Sequence, residues 1–143
     1  MPAGREPLRG RGRLTVAVRI FHRDEPGALM PMIASDARLV VWPGAGAERA
    51  NMNYVRMRPG EANVQHIHAQ SEDTIFVLEG RGSIADLDND AVHEFEAGEV
   101  IHVPAGLQHQ VRGDRGAEIV SVGGPCPADF GLLRAIGLWP QED

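Results

Sequence analysis

Residues 66–73 read His-Ile-His-Ala-Gln-Ser-Glu-Asp, and a further histidine, His109, follows the turn-forming run Pro-Ala-Gly-Leu-Gln at 104–108. Two histidines separated by one residue share a face of a β-strand and lie about 7 Å apart along it, so their imidazoles can share one ion. If the intervening residues form β-structure, these histidines and an acidic side chain can converge. The segment therefore predicts a divalent metal site inside a β-barrel.

Nine short runs rich in Val, Ile and aromatic residues predict β-strands, and Gly, Pro and Asp residues separate them. Spacings of about 8 to 12 residues between such runs are typical of an all-β sandwich or barrel. The predicted strands cover residues 14–21, 38–42, 52–58, 74–78, 82–87, 92–95, 100–103, 110–112 and 118–122.

One helix is predicted after the last strand. Pro127 suits a first helical turn, three apolar residues recur with helical spacing at 130, 133 and 136, and Gly137 can end the helix. Residues 1–13 are rich in Gly and Arg and are expected to form a flexible arm. The remainder, 14–143, has the size of a single domain.

Composition excludes several classes of function. A formal charge of −6 argues against a nucleic-acid surface. All fourteen basic residues are Arg, so Schiff-base chemistry at a lysine is excluded. Cys126 is the sole cysteine and reads as an incidental thiol. The sequence contains no apolar run long enough for a membrane helix and no signal-peptide core, so we expect a cytoplasmic protein without a membrane partner.

The spacing of histidines, glycines and proline resembles the two motifs of the cupin superfamily. The first motif, G-x5-H-x-H-x3-4-E-x6-G, is matched by Gly60, His66, His68 and Gly80, with Asp73 in the place of Glu. The second motif, G-x5-P-x-G-x2-H-x3-N, is matched by Gly98, Pro104, Gly106 and His109, with Gly113 in the place of Asn. On this resemblance the chain is identified as a small single-domain cupin.

The resemblance implies a jelly-roll-like β-barrel that holds one divalent transition metal, Fe, Mn, Ni, Co or Zn. The implied ligands are His66, His68, Asp73 and His109. The spacing to Gly80 favours Asp73 as the carboxylate, but its neighbour Glu72 has the longer reach, and a site of three histidines without a carboxylate is also open. The apolar residues at 75 to 78 do not distinguish the two faces of the strand.

Further candidates surround this set. His102 and Glu72 could act as a catalytic acid and base, although an exposed histidine is the simpler interpretation. Tyr54, Arg56 and Arg58 share a face of one predicted strand and could bind a carboxylated substrate, because Arg offers paired donors to planar anions. The alternative for this row is a solvated surface.

The predicted function is a metal-dependent oxygenase of the dioxygenase type, acting on a small organic substrate. An open coordination position would allow this chemistry. The alternatives are metal-dependent isomerisation, decarboxylation or cyclisation without oxygen, and binding of a small molecule without catalysis. The resemblance also implies a homodimer, in which residues 14–21 could cross between subunits.

Overall fold

The computed structural model describes residues 16–25 and 27–141, which contain nine β-strands and one α-helix. The strands are β1 Ala28–Leu29, β2 Asp36–Val41, β3 Met52–Met57, β4 Glu72–Glu79, β5 Arg81–Asp86, β6 Ala91–Glu96, β7 Val100–Val103, β8 His109–Gly113 and β9 Ile119–Cys126. Helix α1 spans Phe130–Ala135. The predicted all-β class with a short C-terminal helix is confirmed.

The strands form two antiparallel sheets whose inner faces meet in one core. The larger sheet has six strands in the order β1-β2-β3-β9-β4-β7, and the smaller has three in the order β6-β5-β8. Leu39, Met57 and Val77 of the larger sheet belong to the same buried cluster as Phe95 and Val111 of the smaller sheet. Burying these apolar faces against each other is the main force that holds the two sheets together.

Strand β4 shows which face of the larger sheet lies inside. Asp73 and Val77 are buried, whereas Glu72, Phe76 and Leu78 on the opposite face are exposed. The strand lies between β7 and β9, and these two neighbours fix its orientation. The order of the strands therefore determines which face of β4 lies inside. Alternation within β4 does not determine it, since both of its faces are apolar.

The C-terminal helix forms as predicted, but it begins at Phe130 rather than near Pro127. Asp129 caps its first turn, because one carboxylate oxygen accepts a hydrogen bond of 3.0 Å from the backbone N–H of Leu132. Leu133 packs into the core, and Gly137 follows the last turn with a φ of 81°. No helix within the described residues is long and apolar enough to cross a membrane.

The strand predicted at 14–21 is wrong for residues 16–21, which carry no secondary structure. Residues 14 and 15 and the predicted arm at 1–13 lie outside the described residues. A strand needs a neighbour for its backbone hydrogen bonds, and β1, which the sequence pattern did not predict, occupies the edge beside β2. The apolar side chains of Val16, Val18 and Ile20 are consequently exposed.

The connection between β4 and β5 is the single residue Gly80, which has a φ of 87°. A β-carbon at this position would overlap the backbone carbonyl of Glu118. Gly98 has a similar φ of 95°, but no heavy atom lies within 4 Å of the place where its β-carbon would be. Both positions favour glycine, and only Gly80 also needs the missing side chain for close packing.

We expect Gly80→Ala to lower the free energy of unfolding more than Gly98→Ala does. The Gly98 variant should lose about 1–2 kcal/mol from backbone strain alone. The Gly80 variant should lose a further 1–3 kcal/mol or so, because the backbone near Glu118 has to move. Urea unfolding of both variants measures the difference, and equal losses would contradict the close contact.

Candidate metal centre

Four side chains from separate parts of the chain meet between the two sheets. The potential ligand atoms of His66, His68, Asp73 and His109 all lie within 4.8 Å of one another. Two backbone hydrogen bonds join His66 to His109: each N–H donates to the other residue's carbonyl, at 3.0 and 2.9 Å. The structure therefore brings together all four residues that the cupin resemblance implies as ligands.

Each histidine of this group is held by its Nδ1 atom. His66 Nδ1 lies 2.7 Å from the carbonyl oxygen of Val64, and His109 Nδ1 lies 2.9 Å from that of Leu107. His68 Nδ1 lies 2.8 Å from Oδ2 of Asp129. Since a carbonyl or carboxylate oxygen can only accept, each Nδ1 donates, and Nε2 of each ring is the atom that can bind a metal once it has no proton.

The Nε2 atoms of two rings face the carboxylate of Asp73. Oδ2 of Asp73 lies 3.4 Å from Nε2 of His68 and 3.8 Å from Nε2 of His109. The other oxygen of Asp73, Oδ1, and His109 Nε2 are buried and have no hydrogen-bond partner among the described residues. Buried polar atoms are nearly always paired, so this arrangement fits a bound cation that both atoms would contact.

The donor set also fits a divalent transition metal. Three imidazole nitrogens and one carboxylate oxygen suit Fe(II), Mn(II), Co(II), Ni(II) and Zn(II), whereas Mg(II) and Ca(II) prefer oxygen ligands alone. The group is largely enclosed, because His68, Asp73 and His109 are buried and His66 is partly buried. The residues present therefore fit the metal that the resemblance implies.

Mutual hydrogen bonding controls the charge of the metal-free group. Burial lowers the pKa of His68, but its hydrogen bonds to Asp129 and Asp73 outweigh that effect and raise the pKa to about 9. Burial raises the pKa of Asp73, but the nearby imidazoles of His109 and His68 outweigh it and lower the pKa to about 2. Burial lowers the pKa of His66. A metal ion entering this group therefore competes with a proton on His68.

The structure brings Asp73, and not Glu72, to the three histidines. Glu72 projects from the outer face of β4, where its Oε1 lies 2.7 Å from Nε2 of His102. Both members of this pair are more than half exposed. The structure therefore does not bring the two residues predicted as a catalytic acid and base to the metal group, and they form a hydrogen-bonded pair on the outside of the sheet.

Tyr54 and Arg56 also lie away from the metal group. Alternate residues of β3, Asn53 and Val55, line the cavity beside the cluster, so Tyr54 and Arg56 face outward. Tyr54 is covered by the guanidinium groups of Arg23 and Arg38, and Arg23 Nη1 donates to its hydroxyl at 3.0 Å.

Arg56 is occupied in the same way on this outer surface. Its Nη2 lies 2.6 Å from an Oε1 atom of Glu118. Tyr54 and Arg56, which were predicted to bind a carboxylated substrate, are thus engaged in surface ion pairs and cation–π contacts, and the structure does not bring them to the cavity.

The metal group opens onto a cavity between the two sheets. Its walls are mostly apolar and include Ile75, Ile101 and Val122 together with Leu132 and Leu133 of the C-terminal region. Within the described residues that line it, the ionisable side chains are the four of the cluster and Asp129. Such a cavity suits a largely apolar organic molecule that places an oxygen near the metal.

Asp129 is a site residue that the sequence analysis missed. One oxygen caps helix α1 at Leu132, and the other accepts the hydrogen bond from His68. Its position just before an apolar helical run marks it as an N-cap in the sequence. Nothing in the sequence indicates its contact with His68, because the two residues are 61 positions apart along the chain.

The comparisons with known proteins agree with this architecture. The family model described as "Cupin domain" matches residues 53–123. Protein SchB of Streptomyces halstedii is 34% identical over 93 residues, which cover 63% of this chain and 66% of SchB. Polyketide synthase CurC of Streptomyces cyaneus is 34% identical over 88 residues, which cover 59% of this chain and 56% of CurC. The matches thus span less than two thirds of these curated relatives.

A solved structure extends the likeness to the fold. The polyketide cyclase RemF from Streptomyces resistomycificus superposes with a TM-score of 0.66 and 22% sequence identity. The superposition covers 78% of this chain and 81% of RemF. At this identity the likeness concerns the fold alone.

We expect Asp129→Asn to weaken metal binding by about 10- to 100-fold. An amide has one acceptor oxygen where the carboxylate has two. If that oxygen still caps Leu132, the amide NH₂ group faces His68 Nδ1, and the ring proton has to move to Nε2, where it blocks the metal. Titration of Zn(II) against a chelator of known affinity measures the change.

Two controls separate this effect from damage to the helix. Asparagine is a good N-cap, so hydrogen exchange in Phe130–Ala135 should be unchanged in the variant. Asp114→Asn alters a surface carboxylate that pairs with Arg81 and should leave metal affinity unchanged. Wild-type affinity in Asp129→Asn would show that Asp129 does not orient His68.

Proposed function

This chain belongs to the cupin superfamily, and we propose that it binds one divalent transition metal and catalyses ring closure of a polyketide-type substrate in its cavity. The proposed ligands are His66, His68, Asp73 and His109. The observation that carries the proposal is the meeting of these four side chains on the wall of a mostly apolar cavity. The bound metal would supply Lewis acidity toward substrate carbonyl and enol oxygens.

Ring closure of a poly-β-ketone chain is an intramolecular aldol condensation. A carbon–carbon bond forms between an enol carbon and a carbonyl carbon as the carbonyl π bond breaks. The enol proton passes to the new alkoxide oxygen. The closed ring then loses this hydroxyl group and a proton of the adjacent carbon as water, and a carbon–carbon double bond forms. No external oxidant or reductant is consumed. The cavity therefore needs only to hold the substrate in a folded conformation and to control proton transfer.

The side chains of the cavity are suited to these tasks. Apolar walls, including Ile75, Ile101 and Leu133, exclude water and favour a compact fold of a flexible carbon chain. Asp129 Oδ2 holds the Nδ1 proton of His68, so that Nε2 is the nitrogen of this ring that would bind the metal. The names of CurC and RemF, a polyketide synthase and a polyketide cyclase, support the choice of substrate class.

Oxygenation is a second candidate, and the carboxylate of Asp73 favours it. Three imidazoles with one carboxylate can leave coordination positions open on a six-coordinate metal, where a substrate and oxygen could bind together. This reaction consumes O₂ and requires a redox-active metal, whereas ring closure requires neither. Metal identity and oxygen dependence therefore distinguish the two.

The test uses metal-free full-length protein reloaded with Zn(II) or with Fe(II), and a linear poly-β-ketone mimic carried as a simple thioester. We expect the Zn(II) form to release a dehydrated cyclic product without oxygen. His109→Ala should fall to the level of metal-free protein, and His93→Ala, an exposed histidine of β6, should keep the activity.

Other outcomes identify the other candidates. Turnover that requires both Fe(II) and O₂ would replace ring closure with oxygenation. Tight binding of the mimic, followed by its recovery unchanged from every metal form, would show a binding protein without catalysis.

We also propose that the chain forms a homodimer. In the described residues 16–20 the side chains of Val16, Val18 and Ile20 are exposed, with Val18 at 92%. Exposed apolar side chains in a row of this kind are commonly covered by a partner, and a second copy of this chain is the proposed one.

Sedimentation equilibrium should give twice the mass of the chain at micromolar concentration. Val18→Asp should shift the equilibrium to monomer, because a carboxylate would replace the apolar contact. Val92→Asp, at an exposed valine on the edge strand β6, is the matched control and should remain dimeric. A monomeric wild-type chain would rule the dimer out.

A further inference from the structure

The inner face of β3 carries a polar group that the metal centre does not use. Asn53 is only 7% exposed, and its Oδ1 atom is buried with no hydrogen-bond partner among the described residues. Unpaired buried polar atoms are uncommon in folded proteins, and those that line a cavity often meet a ligand. Asn53 lines the same cavity as the metal group.

A second amide converges on the same place. A β-carbon added at Gly124 would lie 2.8 Å from the Nδ2 atoms of both Asn51 and Asn53. Gly124 has a φ of 145°, and its lack of a side chain leaves room for these two amides. Asn51, Asn53 and Gly124 thus form one polar patch in a wall that is otherwise mostly apolar.

Strand pairing places this patch across the sheet from the metal ligand on β4. Asn53 pairs with Gly123 of β9, and Gly123 pairs in turn with Ile75 of β4. Two strand spacings separate Asn53 from β4, which is about 10 Å. Asp73 lies one inward-facing position further along that strand. A molecule about the size of two fused rings can therefore reach both the patch and the metal group.

We infer that Asn53 is a substrate-positioning residue that binds a hydroxyl or enol group of a polyhydroxylated or enolised 1,3-dicarbonyl substrate. Its Oδ1 accepts a hydrogen bond from the hydroxyl, and the amide nitrogens of the patch are available to donate to a neighbouring carbonyl oxygen. A poly-β-ketone carries both kinds of oxygen on alternate carbons. This inference rests on the proposed function for its substrate class.

The consequence is control over which carbons react. An oxygen held at Asn53 fixes how many carbons lie between that point and the metal group. Substrates of different length or oxygen pattern then present different carbons for bond formation. Asn53 would accordingly set the position of ring closure without touching the reacting atoms.

The experiment measures binding, so it does not depend on turnover. Full-length protein loaded with Zn(II) is titrated with 1,3-dihydroxynaphthalene and with its 1,3-dimethoxy counterpart, which cannot donate a hydrogen bond. We expect the wild type to bind the dihydroxy probe about tenfold more tightly, the effect of one net hydrogen bond. Asn53→Leu should lower the ratio of the two affinities about tenfold.

The ratio of the two affinities isolates the role of Asn53. General damage to the cavity would weaken both probes together, and a preference that arises at the metal would survive in Asn53→Leu. Asn53→Asp keeps the acceptor oxygen and should retain the preference for the dihydroxy probe. It also supplies a folded comparison if the leucine variant does not fold.

An undiminished preference in Asn53→Leu, or its absence from the wild type, would overturn the inference. Failure of the proposed function looks different, since it leaves the probe affinities as expected while the poly-β-ketone mimic is not converted. If conversion occurs, Asn53→Leu should also change the ratio of cyclic products, and an unchanged ratio would count against the positioning role.

Discussion

The pair of backbone hydrogen bonds between His66 and His109 is the constraint on which the rest of this site depends. It joins the chain just before β4 to the start of β8 and so holds the larger sheet against the smaller at one point. The two imidazoles consequently lie close, with ring centroids 4.2 Å apart. Once this link is made, alternation along 66–68 and along β4 directs His68 and Asp73 to the same place.

The same arrangement carries a cost that a bound cation would offset. Oδ1 of Asp73 and Nε2 of His109 are buried without partners among the described residues, and such groups destabilise a fold by about 1–3 kcal/mol each. The helix contributes to the site through Asp129, whose two oxygens serve Leu132 and His68 at once. Metal binding and the position of the helix, which also walls the cavity, are therefore physically connected.

The sequence predicted those parts of the structure that depend on short spacings. The histidine pair, the following acidic residue and the proline–glycine turn before His109 specified the cluster, and turn residues divided most strands correctly. Alternation also placed Tyr54 and Arg56 on one face of β3. Which face lies inside depends on packing between the sheets, and a local pattern does not show it. For the same reason the sequence left open whether Asp73 or Glu72 supplies the carboxylate.

Long-range partners explain the other differences. The apolar run at 16–21 has the pattern of a strand but pairs with no neighbour within the described chain, and the contact of Asp129 with His68 joins residues that no local pattern connects. The central claim, that His66, His68, Asp73 and His109 together hold one metal ion, is tested most directly by metal stoichiometry. Metal-free protein titrated with Zn(II) should bind one ion per chain, and His66→Ala with His109→Ala should abolish this binding while His102→Ala preserves it. Undiminished binding in the double variant would contradict the account.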